Sequence, residues 1–203
     1  ISTKINLLNN LSKFCDTIAI GGAMANTFLY AKGIDVGKSL CEKNLSENAL
    51  LILEKAKNNS CKIILPVDVI CGDNINDKIN IKECNINNII SNQMALDIGS
   101  ETSQIISNLI FESNMILWNG PLGAFEYKPF ESSSIKLANA IKLRNKSSNV
   151  LVIAGGGDTI SAIKLAKAEK SFSYVSKAGG AFLEWLEGNG SPGVNALKKN
   201  KFN

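Results

Sequence analysis

Histidine is absent from this chain of 203 residues. Its absence excludes Ser-His-Asp and Cys-His nucleophile systems, and it removes the commonest ligand of transition metals. Any catalysis by this sequence must therefore rely on lysine, arginine, carboxylates, backbone amides or a hard metal ion.

Several other features are missing or scarce. No apolar run approaches the roughly 20 residues that a membrane-spanning helix needs. The five cysteines form no C-x-x-C pair, and no signal-peptide pattern opens the chain, which favours reduced thiols in a cytosolic protein. The net charge is only +4, and Lys and Arg do not cluster among aromatic residues. We therefore expect neither a membrane nor a nucleic acid as partner.

Strand-like and helix-like segments alternate along the chain. Near-continuous apolar runs predict strands in residues 17–22, 62–70, 115–120, 150–156 and 172–180. Apolar residues at helical spacing predict helices in residues 4–14, 23–33, 46–59, 100–113, 132–144 and 181–188. This alternation predicts an α/β fold, a Rossmann-like three-layer open parallel sheet with helices on both faces.

Weaker signals concern the boundaries of these elements. Ser46 is a fair N-cap for the helix that it opens, and Pro66 marks an end or an irregularity of the strand 62–70. Residues 73–93 are rich in Asn, Ile and Lys, and we expect them to form an irregular surface connection.

Glycines stand at four of the predicted strand ends, namely at 21–22, at 120 and 123, at 155–157 and at 179–180. Because the carboxyl ends of parallel strands meet at one edge of a sheet, these loops are expected to gather where such folds bind ligands. Bare backbone lets a ligand approach closely, and the free amides of a helix start suit phosphate. The alternative is that the glycines only permit tight turns.

The stretch 154-AGGGDT-159 places a carboxylate beside such a turn. Asp158 would repel a phosphate unless a cation lies between them, and a Mg²⁺ ion that bridges the carboxylate and phosphate oxygens removes the conflict. Alternatively, Asp158 is only a helix N-cap, and Thr159 either donates to a phosphate oxygen or merely begins the helix. The P-loop and G-x-G-x-x-G patterns are both absent, so a Rossmann-type oxidoreductase is weakly supported.

A second informative stretch is 116-ILWNGPLGAFEYKPF-130. Its letters NGP signal a turn. Leu122 and Phe125 could pack on an adenine, and Glu126 could accept hydrogen bonds from ribose hydroxyls. The alternative is a core loop with a solvated glutamate.

Together, WNGPLGAFE and AGGGDT, followed by YVSKAGGAFLEWLEG, closely resemble the nucleotide-binding C-terminal domain of phosphoglycerate kinases. The resemblance spans essentially the whole chain and includes 18-IAIGGAMANTFL-29, 65-LPVDV-69, 97-DIG-99 and 191-SPGVNAL-197. The sequences of these loops resemble those of bacterial members of the family. Because the first residue is Ile1 and not Met, we expect the chain to start inside a larger protein. The resemblance implies that the N-terminal domain, which binds 3-phosphoglycerate, is absent from it.

The resemblance also implies a role for individual residues. Catalytic roles fall to Lys4, Gly179 and Gly180, and Asp158 is the implied metal ligand. The residues implied to bind the nucleotide are Lys4, Gly21, Gly22, Ala95, Asn119, Leu122, Phe125, Glu126, Gly156, Gly157, Asp158 and Thr159.

The activity implied by the resemblance is a step of glycolysis. A phosphoryl group passes reversibly between 1,3-bisphosphoglycerate with ADP and 3-phosphoglycerate with ATP, and Mg-ATP or Mg-ADP is the bound nucleotide. Such chemistry needs amides, lysines and Mg²⁺ rather than a side-chain nucleophile, which agrees with the lack of histidine. The complete protein is expected to be a monomeric cytoplasmic kinase, and this chain alone is expected to be nearly inactive.

Three positions depart from the family's pattern. Ala23 and Ala95 stand where glycine is common, and Lys177 stands where threonine is usual, at a helix start that faces the transferred phosphoryl group. A cation there either assists or blocks the site. These departures leave a second hypothesis open, a non-catalytic nucleotide-binding module with the same fold.

Overall fold

The computed structural model describes residues 4–76, 79–148, 150–177, 184 and 186–188 of the chain. Its α-helices are α1 (Ile5–Leu11), α2 (Gly22–Ala31), α3 (Ser46–Asn58), α4 (Ser100–Glu112), α5 (Ser132–Ser147) and α6 (Gly157–Leu165). Its strands are β1 (Thr17–Ala19), β2 (Lys62–Ile64), β3 (Asp68–Gly72), β4 (Lys82–Asn85), β5 (Met94–Ile98), β6 (Met115–Asn119), β7 (Leu151–Gly155) and β8 (Tyr174–Ser176). Short 3₁₀ turns lie at Lys43–Leu45, Ile86–Asn88 and Glu169–Ser171.

The described strands form three small sheets. β1 and β2 pair in parallel, and β6, β7 and β8 form a parallel sheet with β7 in the middle. The third sheet is antiparallel, with β3 between β4 and β5. The register between β3 and β5 shifts between Ile70 and Cys71.

The α/β fold with parallel strands is confirmed, but the middle of the chain differs from the sequence prediction. The apolar run 62–70 is two strands, because residues 65–67 separate β2 from β3 and the two strands join different sheets. Pro66 therefore does mark an interruption. Residues 73–93 are not wholly irregular, since they contain β4. The four residues of β4, KECN, show no apolar alternation, because most of their side chains are exposed.

The two largest clusters of buried apolar side chains among the described residues hold most of the helices in place. The larger cluster joins β6 and β7 to α4, α5 and α6, with Ile141 and Val152 fully buried at its centre. The smaller cluster joins α1, α2 and α3 and packs on β1 and β2, with Leu8, Phe28 and Ile52 in its interior. Each such side chain contributes about 1.5–3 kcal/mol when it leaves water. The starts of α2 and α6 are therefore anchored by two different cores.

One predicted helix start is wrong in detail. Ser46 is not an N-cap but the first residue of α3, which follows directly on the 3₁₀ turn Lys43–Leu45. Its hydroxyl donates to the carbonyl of Lys43 at 2.6 Å. The preceding turn therefore leads the chain into the helix without a side-chain cap.

The predicted elements at the end of the chain are only partly covered. The predicted strand 172–180 contains β8, and its last three residues lie outside the described residues. Most of the predicted helix 181–188 lies outside them as well. No helix in the described ranges is long and apolar enough to cross a bilayer.

Candidate functional site

The turn after β7 lies beside the end of β6. Asn119 and Gly155 are partners in the parallel ladder, so both strands end at the same edge of the sheet. α6 begins directly afterwards, at Gly157. Gly156 between them has a φ of +98°, which glycine adopts freely and other residues rarely adopt. The connection from β7 to α6 therefore requires glycine at position 156.

Hydrogen bonds tie three separate segments together at this edge. The side-chain amide of Asn119 donates to the carbonyl of Gly155 at 2.8 Å, and its oxygen accepts from the Lys4 ammonium at 3.3 Å. The backbone N–H of Gly120 donates to the hydroxyl of Thr159 at 2.7 Å. Thr159 is fully buried, so its hydroxyl holds the two loops in register.

The charged members of this edge are Lys4 and Asp158. We call Lys4, Asn119, Gly156, Asp158 and Thr159 the β7-end cluster. Half-buried Lys4 has a pKa below its ordinary value, because the loss of water outweighs the opposing attraction of the Asp158 carboxylate. Asp158 is exposed, and its carboxylate accepts no hydrogen bond from any described residue. The cluster therefore offers a cation and an uncommitted carboxylate at one helix start.

Asp158 does not cap α6. The N-cap is Gly156, which provides no side chain, and Asp158 is the second residue of the helix. The alternative in which Asp158 serves only as N-cap is therefore wrong. The first backbone N–H groups of α6 have no side-chain cap and can donate to an anion. The helix dipole adds a favourable interaction of about 0.3–1 kcal/mol for negative charge there.

The start of α2 forms a second part of the site with the loop after β6. The N–H of Gly22 donates to the carbonyl of Leu122 at 2.8 Å. A side chain at Gly21 would come within 2.8 Å of the same carbonyl, so this approach of two backbones needs glycine. Gly22, Ala95 and Leu122 line one small crevice. The structure thus brings together four of the residues that the sequence analysis assigned to the nucleotide.

The three side chains predicted to hold the base and ribose differ in exposure. Leu122 is buried in the larger core cluster, and Phe125 is half-buried against it. Glu126 is exposed. The core-loop alternative thus describes the packing of Leu122, while the contacts of all three residues with a nucleotide stay predictions.

A buried carboxylate that the sequence analysis did not assign supports the same loop. Asp97, in β5, accepts from the N–H of Ser133 at 3.0 Å and from the N–H of Ile98 at 2.9 Å, and the Ser133 hydroxyl also donates to it. Its neighbour Leu96 accepts from the N–H of Ala124 at 2.8 Å. Burial raises the pKa of Asp97 to about 6, although these donors oppose the rise. β5 therefore fixes both the loop after β6 and the start of α5.

Asp68 has the matching position at α4. Its carboxylate accepts from the N–H groups of Glu101 and Thr102, each at 2.8 Å, and from the Thr102 hydroxyl. Asp68 and Asp97 interrupt the apolar patterns LPVDVI and MALDIG. A charged residue inside an apolar run is a sign of a buried, hydrogen-bonded group, and this signal could have identified both.

The predicted metal ligand has no partner carboxylate nearby. Within the described ranges, no group of three or more Cys, Asp or Glu side chains is gathered in a way that could hold a metal ion. Mg²⁺ commonly uses one or two carboxylates and completes its shell with water and substrate phosphates. Asp158, which is exposed and accepts no hydrogen bond, fits that kind of site.

Part of the predicted catalytic set lies beyond the described residues. Gly179 and Gly180 are outside them, so their assignment is not tested. Lys177 directly follows β8 and is exposed. Of the predicted catalytic residues, Lys4 is therefore the one that the structure describes, and it lies in the β7-end cluster.

Comparison with known proteins gives a consistent result. The family model described as phosphoglycerate kinase matches residues 1–189. The phosphoglycerate kinase of Methylorubrum extorquens strain PA1 is 48% identical over 198 residues, which are 98% of this chain and 50% of that protein. The phosphoglycerate kinase of Brucella melitensis is 45% identical over 199 residues, again 98% of this chain and 50% of that protein.

Solved structures agree with the sequence relatives. The structure of phosphoglycerate kinase from Coxiella burnetii superposes with a TM-score of 0.92 and 40% identity, and covers 99% of this chain and 51% of that one. The enzyme from Pyrococcus horikoshii OT3 superposes with a TM-score of 0.82 and 25% identity. The chain spans about half the length of the relatives that it matches. From its sequence and its fold, the chain belongs to the phosphoglycerate kinase family.

Proposed function

We propose that residues 1–203 are the nucleotide-binding domain of a phosphoglycerate kinase and that they bind Mg-ADP and Mg-ATP at the edge where β6 and β7 end. The observation that carries this proposal is the β7-end cluster. It combines a half-buried lysine, an uncommitted carboxylate and a glycine turn at the start of a helix. Few ligands other than a metal-bound phosphate suit these groups together.

The phosphates are proposed to lie against the start of α6. A Cβ atom at Gly157 would meet no atom within 4 Å, so the backbone there is open to a ligand. The amides of the first turn donate to phosphate oxygens, and Lys4, which contacts Asn119 at the same sheet edge, donates to them as well. Asp158 holds the Mg²⁺ ion, which when bound neutralises charge on the oxygens of the transferred phosphoryl group.

The adenosine is proposed to lie between the start of α2 and the loop after β6. Gly21 and Gly22 let the two backbones approach closely, and the crevice that Gly22 shares with Ala95 and Leu122 marks this end. Glu126 is exposed and can accept from ribose hydroxyls. Asp97 acts indirectly, by holding α5 and β5 in place beneath this loop.

The complete reaction needs a further binding site. We propose that 3-phosphoglycerate is bound by a domain outside this chain, and that closure of the two domains brings the acceptor carboxylate in line with the transferred phosphoryl group and excludes water. The complete protein is proposed to be a monomer of the cytoplasm. The chain alone should bind nucleotide yet show background turnover in a coupled kinase assay.

Calorimetric titration with Mg-ADP tests the nucleotide site. We expect magnesium-dependent binding by the chain, and binding about tenfold or more weaker in Asp158→Asn because a charge-assisted contact is lost. The matched control is Glu169→Gln, which makes the same charge change at an exposed position beyond the far end of α6. It should leave the affinity unchanged. Equal affinity in the chain and both variants would contradict the proposed site.

A further inference from the structure

Two cysteines lie side by side on the antiparallel sheet. In the pairing of β3 with β4, Cys84 stands opposite Val69, and Cys71 stands opposite Lys82. Because side chains alternate along a strand, Cys71 and Val69 share a face, and Cys71 is the diagonal neighbour of Cys84. The two sulfur atoms are 3.5 Å apart.

The two thiols differ in exposure. Cys71 is fully buried, whereas Cys84 is half-buried. Val69 and Ile89 pack with Cys71, and Ile86 packs against this group together with Cys84. Burial, together with the hydrogen bond to Cys84, raises the pKa of Cys71 to about 12. A reagent dissolved in water therefore reaches the Cys84 sulfur first.

The remaining cysteines lack such a partner among the described residues. Burial and then the nearby Cys15 raise the pKa of Cys61, but no sulfur–sulfur contact joins these two thiols among the described residues. The Cys41 sulfur contacts the carbonyl oxygen of Asn26 at 3.9 Å. Direct sulfur–sulfur contact thus singles out one of the possible pairs.

A disulfide between Cys71 and Cys84 requires a small movement. Its S–S bond of about 2.05 Å is shorter than the present separation of 3.5 Å by roughly 1.5 Å. The backbones are already held next to each other by the β3–β4 ladder. Diagonal neighbours on an antiparallel pair have Cα atoms about 7–8 Å apart, so closure of the bond also draws the two strands slightly together at this point.

We propose that Cys71 and Cys84 are an oxidisable dithiol site whose reagent is a hydroperoxide. The Cys84 sulfur attacks the peroxide, so that an S–O bond forms and the O–O bond breaks. With hydrogen peroxide as the reagent, the leaving oxygen takes the thiol proton and departs as water. The Cys71 sulfur then attacks the resulting sulfenic acid, the S–S bond forms, the S–O bond breaks and a second water leaves with the Cys71 proton. Two thiols are oxidised by two electrons, and one peroxide is reduced to two waters.

Because the pKa of Cys71 is high, the rate of the second step is expected to rise with pH. The closed disulfide links β3 to β4 and closes residues 72–83 into a loop, which restricts the unfolded chain. This site stands independently of the nucleotide proposal, because its geometry involves no residue of the β7-end cluster.

Mass spectrometry of tryptic peptides without reductant tests the site after treatment with hydrogen peroxide. Trypsin cuts after Lys82, so Cys71 and Cys84 fall in different peptides. The expected result is one cross-linked pair of peptides, the loss of two of the five thiols, and a higher midpoint of urea unfolding that dithiothreitol reverses. Cys84→Ser should abolish all three, and Cys41→Ser, the matched control, should abolish none.

A Cys71→Ala variant tests the order of events. It should trap Cys84 as a sulfenic acid, detected as a dimedone adduct, and circular dichroism establishes that the variant is folded. A cross-link confined to Cys15 and Cys61 would overturn the proposal. So would peroxide that carries Cys84 of the unaltered chain to a sulfinic acid without any cross-link.

Discussion

Among the described helices, α4, α5 and α6 each start beside an aspartate, and the three carboxylates have different surroundings. Asp68 at α4 and Asp97 at α5 are buried and accept several hydrogen bonds from the first turn of their helices. Asp158 at α6 is exposed and accepts none from the described residues. The same residue type beside a helix start is thus hydrogen-bonded to the helix from a neighbouring strand in two places, and is an open carboxylate of the helix itself in the third.

The difference shows how surroundings separate a carboxylate that is committed to hydrogen bonds from one that is open to a ligand. A carboxylate with three donors around it has few lone pairs left for a ligand, and its removal leaves those donors unpaired. A carboxylate in water has satisfied its lone pairs with solvent and can exchange that solvent for Mg²⁺. Substitutions at the three positions should therefore separate effects on stability from effects on binding.

The largest effect on stability is expected for Asp68→Ala. The substitution removes the acceptor of the Glu101 and Thr102 N–H groups and should lower the free energy of unfolding by about 3 kcal/mol, because buried donors lose their partner. Urea unfolding measures it. The control Asp35→Ala removes an exposed acceptor of one N–H and should cost less than about 1 kcal/mol. Equal losses in the two variants would show that burial does not govern the difference.

A pH-dependent effect of comparable size is expected for Asp97. Its pKa is raised from 3.8 to about 6, chiefly by burial, with nearby Lys136 acting in the opposite direction. Between these pH values the folded chain holds a proton that the unfolded chain has released. The free energy of unfolding should therefore fall by roughly 3 kcal/mol as the pH rises from 3.8 to about 6. At higher pH the contribution of Asp97 should no longer change.

Asp97→Asn should flatten this slope, as measured by urea unfolding at several pH values between 4 and about 7. Asp68 does not interfere, because its pKa is lowered: burial raises it, but hydrogen bonds from Thr102 and Glu101 outweigh burial. Its contribution is thus lost only at pH values below 3.8. An unchanged slope in Asp97→Asn, with Asp35→Asn as the control, would contradict the role of burial.

The smallest effect on stability is expected for Asp158→Asn. The exposed side chain makes no hydrogen bond with the described residues, so the free energy of unfolding should change by less than about 0.5 kcal/mol. The effect of a ligand should change instead. Mg-ADP at 100 times its Kd stabilises a protein by about 2.7 kcal/mol, and the variant should show much less at the same concentration. A thermal shift assay, with Glu169→Gln as the control, measures both quantities.

The sequence pattern identified the β7-end cluster for a physical reason. Glycine at a strand end, a carboxylate and a helix start are encoded within a few consecutive residues, as in 154-AGGGDT-159, and each follows from local backbone geometry. The resemblance assigned Lys4 and Asn119 separately to the nucleotide, but their contact with each other was not predicted, since the two residues are far apart in the chain and nothing local links them.

The antiparallel sheet shows where local reasoning ends. β4 has no apolar pattern, and β3 reads as the continuation of β2. The pairing of β3 with β4 depends on contacts between segments more than ten residues apart, and such contacts are decided by packing rather than by propensity. The proximity of Cys71 and Cys84 followed from the same pairing and could not be predicted.

The sequence by itself determined the α/β class, the order of most elements and the glycine-rich strand ends, because hydrophobic periodicity and turn chemistry act over a few residues. Tertiary structure alone decided what each carboxylate does. Asp68, Asp97 and Asp158 are the same group in the sequence, and only the donors around each one and its exposure make it a helix support or an open carboxylate. The balance between burial and hydrogen bonding is a property of the assembled fold.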